Sequence, residues 1–118
     1  MRGIKMSKFE QLDNQNMKNL YNAILSLENQ DECRRFFEDI CTVNELISIC
    51  QRFEVAVMLR RSKTYTEIAK ETHASTATIS RVNRTLNYGN DGYDLVIERM
   101  RDQDRARLKG RSKRSLDD

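Results

Sequence analysis

Apolar residues recur at three- and four-residue intervals along most of this chain, and no stretch alternates strictly between apolar and polar, so helices are the expected elements. Met17, Leu20, Tyr21, Ile24 and Leu27 form the first stripe and predict a helix over 13–28. Asp31 stands where an N-cap would, and Cys33, Phe36, Phe37, Ile40 and Cys41 supply the apolar side of a second helix. Thr42 and Glu45 make a T-x-x-E capping box, in which hydroxyl and carboxylate each take one free backbone N–H. A third helix is therefore expected to start there and run to Arg61.

The third helix is apolar on more than one side. Leu46, Ile49, Cys50, Phe53, Ala56 and Val57 share one face, while Ile47, Val55, Met58 and Leu59 extend the apolar surface around it. The short neighbouring helices of so small a chain have too little surface to cover it, so a second copy of the chain is the expected cover.

Thr64 and Glu67 form a second capping box, opening a short helix over 65–72 with Ile68 and Ala69 turned inward. A turn follows at His73 and Ala74, and Ser75 then caps a helix through Asn87 that is anchored by Ile79, Val82 and Leu86. Two helices joined by a tight turn, with small Ala69 at their crossing and apolar anchors at Ile68, Ala74, Ile79 and Val82, make a helix-turn-helix over 64–87. His73 occupies the turn position that commonly holds glycine; histidine tolerates positive φ better than most residues.

Placing Ile79, Val82 and Leu86 inward turns Ala77, Ser80, Arg81, Arg84 and Tyr88 outward, with Thr76 near the exposed helix start. That face carries no acid. Short side chains let a helix enter a major groove about 12 Å wide, hydroxyls meet base edges, a methyl such as that of Ala77 meets a thymine methyl, and arginine grips guanine or phosphate. Ser, Thr and Asn are poor helix formers, so an idle surface helix would be better served by Glu, Lys or Ala. The expected DNA contacts are therefore Ser75, Thr76, Ala77, Ser80, Arg81, Arg84 and Lys63, with Thr76, Ala77, Ser80 and Arg84 at bases, and Arg81 and the basic cluster at 60–63 nearer phosphate.

Charge follows the same division. Residues 1–59 hold seven basic and nine acidic side chains, whereas residues 60–90 hold six basic and two acidic, with no acid between Thr72 and Asn90. Tyr88–Gly92 reads as a turn, and Asp91 stands at the cap of a sixth helix with Tyr93, Val96, Ile97 and Met100 inward. Residues 105–114 then hold six basic side chains, no acid and almost nothing apolar. The organisation expected is a flexible N-terminus over 1–12, a helical dimerisation and DNA-binding domain over 13–104, and a flexible basic tail over 105–118 that either holds DNA without specificity or only solubilises.

Several function classes are disfavoured. The first dozen residues offer no continuous apolar stretch for a signal peptide or membrane span, so a cytoplasmic protein is expected. Cys33, Cys41 and Cys50 are odd in number and widely spaced, fitting neither a disulfide framework nor a zinc site; they read as buried thiols. His73, the single histidine, has no carboxylate or second ligand at suitable spacing. No metal site, phosphate loop or set of catalytic side chains can be assembled, so an enzyme is not expected. The rivals to a DNA-binding regulator are a dimeric helical module that binds a protein, and an RNA-binding protein that uses the basic tail.

T-V-N-E-L at 42–46, Arg52 within CQRFEVAVMLRR and the run TYTEIAKETHASTATISRVNRTL at 64–86 resemble the Trp repressor superfamily, and more closely its YerC/YecD group. ATISR, Ala77–Arg81, is the most specific piece. The resemblance implies an all-α fold of six helices, an intertwined homodimer and two reading helices presented to successive major grooves. It also implies an effector pocket, since tryptophan in the repressor lies against the reading helix between two arginines and neighbouring hydroxyls. The matching positions here are Arg52 and Arg81, with Thr42, Thr78 and Thr85. Val82 departs from the pattern: the repressor has glycine after its second arginine, and a valine crowds the space an indole needs. Tryptophan is accordingly not the expected effector, and the existence of another small ligand stays open.

Overall fold

The computed structural model of the protein describes residues 9–117. Among them the regular structure is helical, with a single 3-10 turn at Glu10–Leu12 and then α1 (Gln15–Leu25), α2 (Gln30–Ile40), α3 (Val43–Arg60), α4 (Tyr65–Thr72), α5 (Thr76–Tyr88) and α6 (Gly92–Asp117). The six helices fall where the apolar spacing places them. Of the N-terminal segment expected to be flexible, residues 1–8 lie outside the described residues. The chain divides into two compact units at Leu46/Ile47.

In the first unit one cap differs from expectation. Asn14 caps α1 by accepting the Met17 N–H, whereas Asn29, and not Asp31, caps α2 by accepting the Glu32 N–H. Asp31 instead pairs with Arg34 at 2.7 Å, and the Glu32 carboxylate reaches back to the Glu28 N–H. α1 ends at Leu25, where Ser26 donates its hydroxyl to the Ala23 carbonyl and closes the last turn, so Leu27 lies beyond the helix. Phe36 and Phe37 meet edge to face with centroids 5.5 Å apart. No side chain described in residues 9–46 is buried: Tyr21, Leu25, Ile40 and Val43 all stay more than half exposed.

The second unit has a continuous core. Val55, Ala56 and Met58 of α3, Ile68 of α4, Ala74 of the turn, Ile79, Val82 and Leu86 of α5 and Ile97 of α6 are buried together, flanked by Phe53, Val57, Leu59, Ala69 and Tyr93. The largest side chains almost wholly removed from water are Ile68, Ile79, Val55 and Val82, each contributing about 1.5–3 kcal/mol of transfer free energy. α3 begins at the expected capping box: Thr42 N–H donates to Glu45 and Glu45 N–H to the Thr42 hydroxyl, which holds the Glu45 carboxyl below its ordinary pKa. It ends in a Schellman turn with Ser62 left-handed at φ 61°, Lys63 N–H on the Met58 carbonyl and Ser62 N–H on that of Leu59.

Three expectations are corrected. Cys33 and Cys50 are exposed and Cys41 only partly covered, so the thiols are not core residues of the single chain. α6 buries a narrower face than its pattern suggests: Ile97 and Tyr93 pack inward, whereas Val96 and Met100 remain nearly half exposed. Asp91 is left-handed at φ 62° and serves the helix with its carbonyl, bonded to the Leu95 N–H, and not with its side chain. The helix then continues through the segment expected to be a basic tail, and residues 101–110 stay outside the core, exposed throughout. Arg, Lys, Ala and Leu are strong helix formers, so helical backbone persists there without an apolar stripe. No helix among the described residues is long and apolar enough to cross a membrane.

Candidate nucleic-acid interface

α4 and α5 are built by short-range hydrogen bonds before packing is considered. At α4 the capping box is complete, with the Glu67 N–H bonded to the Thr64 hydroxyl and the Thr64 N–H to the Glu67 carboxylate. The turn is fixed by Thr72, whose buried hydroxyl donates to the Ile68 carbonyl at 2.8 Å and accepts the Ala74 N–H. Its carbonyl also accepts from Gln51 of α3, which holds the turn against the neighbouring helix. His73 is left-handed at φ 60°, as a turn residue in place of glycine must be, and its N–H closes on the Ala69 carbonyl. Neither Gln51 nor Thr72 is visible as a functional position in the sequence, because their bonds run to backbone atoms.

Ser75 caps α5 by accepting the Thr78 N–H, and its hydroxyl also donates to that of Thr78. Behind the helix, Ile79 is fully buried, with Val82 and Leu86 almost so. The opposite side is free. Ser75, Thr76, Ala77, Ser80, Arg81, Arg84 and Tyr88 are all exposed, and Tyr88 is 84% exposed. Gly89 then ends the helix; a Cβ there would lie 2.5 Å from the Thr85 carbonyl oxygen, so only glycine fits this exit.

The cations divide into paired and unpaired. Arg34, Arg105 and Arg107 each bond an acid on their own helix. Arg60 forms a two-pronged contact with Asp94 of α6, at 2.7 and 2.9 Å, and also donates to the Leu86 carbonyl near the end of α5. This contact raises the Arg60 pKa and lowers that of Asp94, chiefly through the side-chain hydrogen bond. Arg60 is therefore a clamp joining α3, α5 and α6, and leaves the basic cluster expected near phosphate with Arg61 and Lys63. Lys63, Arg61, Arg81 and Arg84 are exposed and have no acidic partner among the described residues.

Of the positions implied for an effector, Arg52 and Arg81 are exposed and unpaired among the described residues. Thr85 donates its hydroxyl to the Arg81 carbonyl, Thr78 is engaged by Ser75, and Thr42 caps α3. An open groove of about 330 Å³ lies elsewhere, lined by Phe53, Glu54, Val57, Met58, Arg61, Glu71 and Thr72. No group of three His, Cys, Asp or Glu side chains able to hold a metal occurs among the described residues.

Comparison with known proteins agrees with this architecture. The chain is 52% identical over 95 residues to the uncharacterized protein YerC of Bacillus subtilis (strain 168), a match that covers 80% of this chain and 91% of YerC. A crystal structure of a TrpR-like protein from Eubacterium eligens superposes with a TM-score of 0.75 at 62% identity, covering 76% of this chain and 93% of that one. A second, provisionally described as a Trp repressor from Staphylococcus aureus, gives 0.78 at 48% identity, covering 81% and 96%. The sequence pattern of the Trp repressor protein family matches residues 15–101, which takes in every helix up to the middle of α6, and the chain belongs to that family.

Proposed function

We propose that the protein is a sequence-specific regulator of transcription that binds duplex DNA as a homodimer, reading bases with α5. The observation that carries this reading is the free side of α5: an acid-free helical face, backed by a rigid core, on which Arg81 and Arg84 stand exposed and unpaired. Thr76, Ala77, Ser80 and Arg84 are assigned to base edges, and Ser75, Arg81, Arg61 and Lys63 to phosphate. Unpaired arginines have no ion pair to break when a phosphate or guanine arrives, and the planar guanidinium loses less freedom per hydrogen bond formed than a lysine would. The family and the two similar structures support the coarser reading of a DNA-binding regulator.

Dimerisation is supported by what the single chain leaves uncovered. Val43, Ile47 and Ile49 in the first half of α3 are 74%, 59% and 45% exposed, and the apolar residues of α1 and α2 have no buried member. A self-complementary two-fold contact would cover such a surface. The reading requires no tryptophan, because Val82 fills the core behind α5 at 2% exposure. A different small ligand held by Arg52 and Arg81 would act by adjusting the reading helices.

The test is selection of bound fragments from random duplexes at stated salt, followed by titration of variants. The expected result is a palindrome with half-sites about one helical turn apart. Arg84→Ala should weaken binding to the selected site by about 1–3 kcal/mol and relax preference at one base position. Absence of any preferred duplex would overturn the reading and leave a protein-binding helical module.

A further inference from the structure

The last helix runs on past the part of the chain that the family shares. The family match ends at Arg101, whereas α6 continues to Asp117, an extension of about 24 Å at the helical rise. Where its exposure is described it stands uncovered: every residue from Glu98 to Gly110 is exposed. It has no apolar stripe either, since Ala106 and Leu108 are the only apolar residues between Arg101 and Gly110, and Leu108 is 62% exposed.

Its charge is one-sided. Asp102 and Asp104 are taken by Arg105 and Arg107. Lys109 has no partner among the described residues, and Arg111, Lys113 and Arg114 follow with no acid before Asp117. In helical register Lys109 and Lys113 stand four apart, and like charges at that spacing repel one another. A polyanion laid against this helix would remove the repulsion and release its own counterions.

The kind of polyanion follows from what the segment lacks. Residues 105–118 hold no aromatic side chain on which the bases of a single strand could stack, and no apolar face to enter a membrane. Phosphates of a duplex ask only for charge. The start of α6 is also tied to the end of α5, because Arg60 bonds both Asp94 and the Leu86 carbonyl.

We infer that the basic end of α6 is a second DNA contact, gripping the phosphates of duplex that flanks the site without reading its sequence. The inference rests on α5 being the reading helix. It is tested by measuring dissociation constants between 50 and 200 mM KCl, on long duplexes with and without the selected site. The proteins compared are the full chain, a truncation ending at Asp104, and a full-length variant carrying Lys109→Gln, Arg111→Gln, Lys113→Gln and Arg114→Gln. Both altered proteins should bind both duplexes about tenfold or more weakly, with the log–log salt slope reduced by about 2–4 and the ratio between the duplexes unchanged. Unchanged slopes and affinities in both would overturn the inference while leaving α5 as the reader, provided Arg84→Ala still erodes discrimination. Loss of single-stranded RNA binding with duplex binding intact would overturn it too. Failure of the full chain to bind any duplex would overturn both.

Discussion

The two units of this chain have similar helical patterns and opposite fates. α1 and α2 are amphipathic, yet no described side chain up to Leu46 is buried; α4 and α5 are no more apolar, yet Ile68 and Ile79 are removed completely from water. The difference lies in partners. Around the helix-turn-helix, α3, α4, α5 and α6 bring one apolar face each to a common centre, whereas α1 and α2 present stripes that the single chain leaves open. An apolar periodicity says that a face must be covered and is silent on which molecule covers it.

The contrast can be broken by substitution. The largest effect is expected from Ile79→Ala, which removes a fully buried side chain and should cost about 2–5 kcal/mol in denaturant unfolding, at any protein concentration. Ile47→Gln, at a position 59% exposed in the single chain, should leave that core intact and raise the dimer dissociation constant about tenfold or more, read by sedimentation velocity. Sedimentation of the Ile47→Gln variant indistinguishable from that of the parent would remove α3 from the proposed interface. Thr72→Val is smaller: it deprives the buried Ala74 N–H of its acceptor and should cost about 1–2 kcal/mol.

Smallest is the Arg60–Asp94 clamp, about one-third exposed on both sides and so worth no more than about 1 kcal/mol. The folded state lowers the Asp94 pKa below its ordinary 3.8, so the carboxylate binds its proton more weakly when folded. Its contribution is full above that ordinary value and is lost as pH falls through the lowered one. Thermal melts from pH 6 down should show part of the acid destabilisation disappearing in Asp94→Asn; an identical acid limb in both proteins would count against the clamp.

Legibility in the sequence followed the range of the interaction. Both capping boxes, the helix-turn-helix and the inward set Ile68, Ala74, Ile79, Val82 and Leu86 lie within a few residues of their partners, and all could be placed from spacing. The cap of α2 was misplaced because Asn29 and Asp31 are both polar residues at the helix start, and hydrogen-bond geometry chose Asn29. Long-range pairs left no trace: Arg60 reads as one more cation of a basic cluster until Asp94 meets it across 34 residues. The thiols misled for a related reason, since the stripes carrying Cys33 and Cys50 are apolar but uncovered in one chain. Of the candidate interface, the outward face of α5 was fully legible, and the pinning of the turn by Gln51 and Thr72 was not.

The outer positions of α5 make almost no contribution to holding the molecule together. Ala77, Ser80 and Arg84 are exposed, and no side-chain bond from them to the rest of the described chain exists, while Ile79, Val82 and Leu86 carry the load on the far side. Mutation can therefore rewrite the outer residues at little thermodynamic penalty, and a lineage with this scaffold is free to change what α5 presents faster than it changes shape.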